Sequence, residues 1–246
     1  MKASAIGMIG LICAAGAAAQ PYDGLQVNAR VFNDFPSSNL VIDNQYPASL
    51  SIEEDSFGSG NFANRHMAWA SEDAGATASD FDYGDGFDFS VTMNLDADPV
   101  AGREAGIMTD LFGFGFFGAL GNGEIAAFGS FLPFHTFGNV YVNGTDVDLR
   151  MIYTPGAGEG MSPASTMEYI IDLGSGPVSS GPIPFTNTEG GIPTGFTALI
   201  GVGIQSQGGA GGYSNVLFSD FNFVPAPGTG VLALTGLLAC SRRRRA

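Results

Sequence analysis

Cysteine, histidine and tryptophan are scarce in this 246-residue chain, which has two, two and one of them. Cys13 and Cys240 both lie in the end segments, so the region between them must fold without disulfides. His66 and His135 are too few, without a cysteine near them, to predict a zinc site. The stability of the fold must therefore come from packing alone.

Basic residues are also scarce: nine Lys and Arg stand against 24 Asp and Glu, for a formal net charge of −15. Lys2 and four arginines near the end of the chain are five of the nine. Residues 20–223 hold the other four and all 24 acidic residues, so their charge is 4 − 24 = −20. This charge excludes nucleic acid and anionic lipid as partners, because phosphate binding needs a basic surface. It fits a solvated acidic surface or the binding of divalent cations.

The first 19 residues match a secretory signal peptide. Lys2 is a minimal positive start, residues 6–15 are apolar, and the small residues 17–19 precede Gln20 as a cleavage site. A retained signal anchor is the alternative, but the apolar run is short. The sequence therefore predicts an exported protein whose mature body begins near Gln20.

Residues 224–246 form a tail with three parts. A proline motif comes first, an apolar run over residues 231–240 follows, and an arginine cluster ends the tail. The prolines favour an extended backbone, and the arginines stay on the cytoplasmic side of a membrane. The apolar run is shorter than the roughly 20 residues that a membrane-spanning helix needs, which suits a temporary anchor. The motif is Val224, Pro225, Ala226, Pro227 and Gly228, and the stop-transfer cluster is Arg242, Arg243, Arg244 and Arg245.

This tail resembles the PEP-CTERM sorting signals of bacterial exported proteins, which a membrane protease called an exosortase processes. Pro225, Ala226 and Pro227 match the motif, with Ala226 in place of the family's usual Glu. The resemblance implies transient anchoring in the inner membrane through a C-terminal hydrophobic helix. It also implies delivery to the outer envelope, cell surface or extracellular matrix. A permanent anchor with stop-transfer arginines is the alternative, so cleavage of the tail stays open.

Between the two ends, short segments alternate between apolar and polar residues. The clearest is residues 87–95, in which every second residue is apolar, as in a half-buried strand. Asn143 and Gly144 predict a type I′ hairpin between residues 140–142 and 147–153. Strands are also predicted over residues 25–32, 39–42, 49–52, 63–70, 105–117 (two strands), 125–128, 167–173, 196–204 and 215–223.

Ten to thirteen short strands and 37 glycines in one domain predict an all-β fold. The expected architecture is a two-sheet antiparallel β-sandwich over residues 20–223, between the signal peptide and a C-terminal sorting helix. The order of its segments resembles the concanavalin A-like jelly rolls, the sandwich of lectins and glucanases. That resemblance implies a carbohydrate-binding or carbohydrate-cleaving ancestry for the fold.

Signatures of catalysis are absent from the sequence. The concanavalin-like hydrolases carry a Glu-x-Asp-x-x-Glu string on one strand, and no such string occurs here. Glu168 and Asp172 share a predicted strand, but no second glutamate follows them. A Gly-x-Ser-x-Gly elbow is missing too. We therefore expect the protein not to be an enzyme.

An acidic, glycine-containing segment is the candidate for a metal site. Asp80, Asp82, Asp85 and Asp88 place four carboxylates within nine residues, and hard oxygen ligands of this kind suit Ca²⁺. The spacing differs from that of an EF-hand, since Gly84 takes the third ligand position. A solvated acidic turn is the alternative. No other cofactor is expected.

Aromatic residues in a predicted loop are the candidate for a glycan-binding surface: Phe131, Phe134, His135 and Phe137. The phenylalanines of predicted strands are expected to fill the core instead. The sequence thus predicts an exported, non-catalytic β-sandwich protein of the envelope or matrix. Its expected partners are an exosortase-like protease and an extracellular polysaccharide. A lectin-like module and a glycoside hydrolase or lyase of the same fold are the alternatives.

Overall fold

The computed structural model describes residues 22–58, 62–81, 84–110, 114–129, 132–156, 165–185, 199–207 and 212–225. Every regular element in these ranges is a β-strand, which confirms the predicted all-β class. The strands are β1 Gly24–Asn33, β2 Asn39–Gln45, β3 Ser49–Asp55, β4 Ala63–Ser71, β5 Phe87–Ala97, β6 Arg103–Asp110, β7 Phe114–Leu120, β8 Glu124–Gly129, β9 His135–Asn139, β10 Asp146–Thr154, β11 Thr166–Asp172, β12 Val178–Ser179, β13 Ile183–Pro184, β14 Leu199–Gln207 and β15 Tyr213–Pro225.

These strands form two antiparallel sheets. The seven-stranded sheet has the order β1-β4-β14-β6-β7-β8-β9. The second sheet has the order β12-β11-β10-β5-β15-β3-β2, and β13 pairs with β11 at its edge. Strands far apart in the sequence, such as β4 and β14 or β5 and β15, are neighbours. The chain therefore crosses repeatedly between the sheets, as in a jelly roll.

The main core lies between the two sheets. On β5 the alternate residues Phe87, Phe89, Val91, Met93 and Leu95 are buried, while the residues between them face outward. This alternation is the one predicted from the sequence. Burial of each such side chain contributes about 1.5–3 kcal/mol relative to exposure.

The seven-stranded sheet is buried on its outer face as well. On β4, Ala68 and Ala70 join the main core, whereas Met67 and Trp69 belong to a second apolar cluster on the opposite face. Glycines allow the neighbouring strand to approach closely, since a Cβ at Gly201 would lie 2.0 Å from the carbonyl oxygen of Ala68. The apolar part of the outer face is thus packed.

Four sequence predictions need correction. Residues 140–142 form no strand, and the segment expected to be a loop contains β9. Asn143 and Gly144 make a turn, but it leads from one sheet to the other and closes no hairpin. The side chain of Asn143 instead bonds the backbone of Ala97 at the end of β5. The expected loop over residues 174–195 likewise contains the short strands β12 and β13.

The last strand extends further than predicted. β15 runs to Pro225, with Val224 opposite Asp88 and Pro225 opposite Phe87. The proline motif of the tail therefore begins inside the sandwich. The signal peptide over residues 1–19 and the tail from Ala226 onward lie outside the described residues. Within the described ranges, no helix is long and apolar enough to cross a membrane.

Candidate functional site

Three polar side chains from adjacent strands meet on the outer face of the seven-stranded sheet. The strand register places Arg65 of β4 opposite Gln205 of β14, and Gln205 opposite Glu104 of β6. They are 9%, 4% and 5% exposed, respectively. We call Arg65, Gln205 and Glu104 the polar row. Polar groups buried to this extent need partners or a function.

Hydrogen bonds join the polar row into a chain. Nε of Arg65 donates to Oε1 of Gln205 over 2.7 Å, and Nη2 donates to the same oxygen. Nε2 of Gln205 donates to Oε2 of Glu104 over 2.9 Å, and Nε2 of Gln207 donates to Oε1 of Glu104 over 3.0 Å. Amide groups therefore hold both oxygens of the carboxylate and separate it from the guanidinium.

The environment of the polar row shifts two pKa values toward neutrality. Burial raises the pKa of Glu104 to about 7, against the opposing effects of the Gln205 hydrogen bond and the charge of Arg65. Burial also lowers the pKa of Arg65 to about 10, against the charge of Glu104. Near neutral pH Glu104 can therefore take up or release a proton, as a general acid or base must.

Arg65 differs from the other described arginines in its partners. Arg30, Arg103 and Arg150 each form an ion pair with a carboxylate. Among the described residues Arg65 forms none, and its hydrogen bonds go to the neutral amide of Gln205. Its guanidinium carbon lies 4.5 Å from the ring centroid of Phe32 and 3.5 Å from that of Phe114. A cation in this setting has donors left for an external anion.

A second buried polar cluster lies on the inner face, around His66. Nδ1 of His66 accepts a hydrogen bond from the backbone N–H of Arg30 over 2.9 Å, so Nε2 carries the proton toward Glu54, 3.1 Å away. Burial alone would raise the pKa of Glu54, but hydrogen bonds from His66, Ser38 and Asn64 outweigh it and lower the pKa. With His66 and Glu54 sealed between the sheets, this cluster serves structure.

The outer face of the other sheet carries a groove of about 430 Å³. Within the groove Thr92 donates to Asp148, and Arg150 of its lining donates to Asp88 of the neighbouring strand β5. Glycine N–H groups bond Asp172. The groove therefore has the character of a solvated polar sheet face, without the buried, linked acid and cation of the polar row.

The predicted calcium ligands do not converge among the described residues. Asp88 lies on β5, where Nε and Nη2 of Arg150 bind its two oxygens over 2.7 and 2.5 Å. Asp80 and Asp85 are exposed, and Asp82 lies outside the described residues. No group of three or more acidic, histidine or cysteine side chains in the described ranges could hold a metal ion. Calcium binding by this segment stays a prediction.

The structure places the members of the predicted glycan surface in different environments. Phe134 is 63% exposed, whereas His135 and Phe137 lie half-buried in β9 with ring centroids 4.6 Å apart. Phe137 packs against the main core, and Phe131 lies outside the described residues. Of the described members, Phe134 is the one that presents its ring to solvent. A glycan surface here stays a prediction.

Comparison with known proteins identifies the fold. No protein-family profile and no curated protein match the chain. Among solved structures, an alginate lyase of polysaccharide lyase family 7 matches with a TM-score of 0.54 and 9% identity, over 85% of this chain and 100% of that one. The alginate lyase from Corynebacterium sp. matches with a TM-score of 0.53 and 10% identity, over 83% and 95%. A family 7 alginate lyase in complex with substrate matches with 0.52 and 9%, over 85% and 98%.

These likenesses confirm a jelly-roll sandwich, the fold of these three alginate lyases, and they correct one prediction. The expectation that the protein is not an enzyme is contradicted, because its described fold is that of three lyases. That expectation depends on the paired carboxylates of hydrolases, which the sequence lacks. The polar row contains one carboxylate, and its members come from positions 65, 104 and 205. The available signal was the alternation on β14, where Gln205 and Gln207 follow Gly201 and Gly203 on one face.

Proposed function

We propose that the protein is a polysaccharide lyase that cleaves a chain of uronate sugars at the polar row. The observation that carries this proposal is a buried arginine that forms no ion pair among the described residues and is linked through one amide to a carboxyl group with a pKa of about 7. The fold likeness to three alginate lyases supports it.

A lyase removes a proton from the sugar carbon that bears the carboxylate and expels the glycosidic oxygen from the neighbouring carbon. Negative charge builds up on the substrate carboxylate in the transition state, so a fixed cation or hydrogen-bond donor lowers the barrier. Among the described residues only Gln205 accepts hydrogen bonds from the Arg65 guanidinium, which leaves N–H donors for this carboxylate. Because the guanidinium is desolvated between the rings of Phe32 and Phe114, its attraction for an anion is stronger than in water.

Glu104 supplies the proton transfer in this proposal. Its ionised form takes the proton from carbon, and its neutral form then returns that proton to the departing oxygen. One C–H and one C–O bond break, one C=C and one O–H bond form, and no oxidant or reductant is needed. No described histidine or tyrosine lies on this face of the sheet, so Glu104 serves both steps. A pKa of about 7 is suited to both roles near neutral pH.

The proposal includes the place of action. Residues 1–19 would direct export, and residues 224–246 would hold the chain in the inner membrane until an exosortase-like protease cuts the tail. Release would place the lyase in the outer envelope or the extracellular matrix. An acidic polysaccharide of that matrix is the substrate such a location would offer.

The test is incubation with a panel of uronate polysaccharides while ultraviolet absorbance records the unsaturated product. We expect activity in the parent and a loss of about 10²–10⁴-fold in Glu104→Gln, the usual contribution of general acid–base catalysis. Arg65→Met should also lose activity. Arg150→Met, on the other sheet, is the matched control and should retain it. A parent that forms no unsaturated product from any uronate chain would refute the proposal.

A lectin-like, carbohydrate-binding role is the second candidate. It is favoured by the absence of a separate proton donor on this face among the described residues. In that case the polar row would bind uronate chains without cleaving them. Binding without product in the same panel would identify this role.

A further inference from the structure

Phe32 occupies an unusual position beside the polar row. It lies near the end of the edge strand β1, opposite Arg65 in the strand register. It is 43% exposed, although its ring centroid is 4.5 Å from the guanidinium carbon of Arg65. It belongs to neither apolar cluster of the described residues. Phenylalanine is usually buried, so an exposed ring against a buried cation calls for an explanation.

A bulge in β1 sets the direction of the Phe32 side chain. Asn28 pairs with Met67, and Phe32 pairs with Arg65. Between these two pairs β1 advances by four residues, whereas β4 advances by two. Arg30 lies in the bulge with a positive φ of 55°, a conformation that is rarely adopted without a compensating contact. Bulges of this kind redirect side chains and are common beside active sites.

The buried cluster on the inner face holds the bulge in place. The backbone N–H of Arg30 donates to Nδ1 of His66, and its guanidinium bonds the backbone oxygens of Phe35 and Ser38. Arg30 also lies 3.7 Å from Glu54. The strained backbone is thus fixed from inside the sandwich, which fixes the direction of the neighbouring Phe32.

We infer that Phe32 is a stacking platform for a sugar ring and determines where the uronate chain lies across the polar row. This inference rests on the proposed function. Phe32, Arg65, Gln205 and Glu104 stand on four adjacent strands, so three strand spacings place them within about 14 Å. A chain lying across the strands meets the carboxylate site at Arg65 and the aromatic ring beside it. The apolar face of a sugar packs on such a ring, while its carboxylate reaches Arg65.

The experiment compares Phe32→Ala, Phe32→Trp, Phe134→Ala and Leu217→Ala in the full chain. Phe134, an exposed phenylalanine beside β9 at the opposite edge of the same sheet, belongs to the glycan surface predicted from the sequence and is the rival position. Leu217→Ala is the matched control, because Leu217 is 47% exposed on β15 of the other sheet. Binding of uronate oligosaccharides is followed by isothermal titration calorimetry, because Phe32→Trp adds a second tryptophan to the single one of the parent, Trp69. The thermal midpoint of each variant checks that it is folded.

We expect Phe32→Ala to weaken binding about tenfold, which corresponds to about 1.4 kcal/mol. In the cleavage assay KM should rise by a similar factor while kcat changes little, since the ring binds substrate and transition state alike. Phe32→Trp should restore affinity, and Leu217→Ala should bind as the parent does. A purely structural role for Phe32 would lower the midpoint of Phe32→Ala without this split between KM and kcat.

The outcomes separate the inference from the proposed function. If the parent cleaves uronate chains and Phe32→Ala has an unchanged KM, the inference is overturned and the lyase stands. If the parent binds without cleaving and Phe32→Ala binds more weakly, the platform stands and the lyase is overturned. An equal loss in Phe134→Ala would move the platform to the β9 edge and overturn the inference. A parent that neither binds nor cleaves overturns both.

Discussion

The substitution Glu104→Gln tests the electrostatics of the polar row without any knowledge of the substrate. Glutamine has the shape of glutamate and removes its charge. One amide N–H of Gln205 and one of Gln207 bond the carboxylate oxygens. Gln205 is fixed by Arg65, whereas Gln207 can rotate its amide to face the new NH₂ group. The variant should therefore keep its hydrogen bonds and lose the cost of a buried charge.

Glu104→Gln should have a higher free energy of unfolding than the parent, by an amount that grows with pH. Burial raises the pKa of Glu104 from 4.5 to about 7, so the folded state binds a proton more tightly than the unfolded state. Between these values stability falls as pH rises, because ionisation is easier in the unfolded chain. A difference from 4.5 to about 7 corresponds to roughly 3 kcal/mol. Glu104→Gln should thus equal the parent below about pH 4 and exceed it by up to roughly 3 kcal/mol above about pH 8.

Urea unfolding at a series of pH values measures this difference. Glu53→Gln is the control, since Glu53 is an exposed carboxylate on β3, and it should track the parent at every pH. The decisive quantity is the pH dependence of the gap between Glu104→Gln and the parent. A gap that is the same at acid and alkaline pH would show that Glu104 is not a desolvated acid. Its assignment as the proton-transfer group would then fail.

Three further predictions concern other parts of the chain. Arg103 is 2% exposed and donates a hydrogen bond to Asp98 over 3.1 Å. Arg103→Met should therefore lower the free energy of unfolding, measured by urea denaturation, by about 3 kcal/mol, and a loss under about 1 kcal/mol would contradict this. Millimolar calcium should raise the thermal midpoint if the acidic segment binds it, and Asp82→Ala with Asp85→Ala should abolish that gain. An equal gain in the double variant would eliminate the segment as the site. Mass spectrometry of the native mature protein should show that residues 231–246 have been removed. Detection of Arg242–Arg245 in the mature protein would contradict cleavage and support a permanent membrane anchor.

The fold could be predicted because its signal is local. Residues 87–95 alternate strictly between apolar and polar side chains. This period-2 pattern can be read from one strand alone, without knowing which strands lie beside it. The same holds for residues 147–153 in β10. Asn143 and Gly144 carry a local signal too, but it specifies a turn and not the partner of the next strand. The structure pairs β10 with β5, so the turn joins two sheets.

The polar row could not be predicted because its signal is global. Arg65 and Gln205 are 140 positions apart, and only the pairing of β4 with β14 brings them together. No spacing in the sequence relates Glu104 to either of them. The bulge that orients Phe32 could not be predicted either. It depends on how many residues of β1 and how many of β4 lie between two paired positions, which neither strand shows by itself.

The charge of the whole molecule opposes the function proposed for Arg65. A chain with a formal charge of −15 repels an anionic polysaccharide through its exposed carboxylates. Salt screens this repulsion, because the Debye length falls from about 30 Å at 0.01 M to about 8 Å at 0.15 M. Arg65 is 9% exposed, so salt screens its attraction for a bound carboxylate much less. KM should therefore fall as sodium chloride rises over this range, opposite to the behaviour of proteins that bind polyanions through a basic surface. Steady-state kinetics in salt decide the point: a KM that rises would place the attraction on exposed charges and contradict a buried anion site at Arg65.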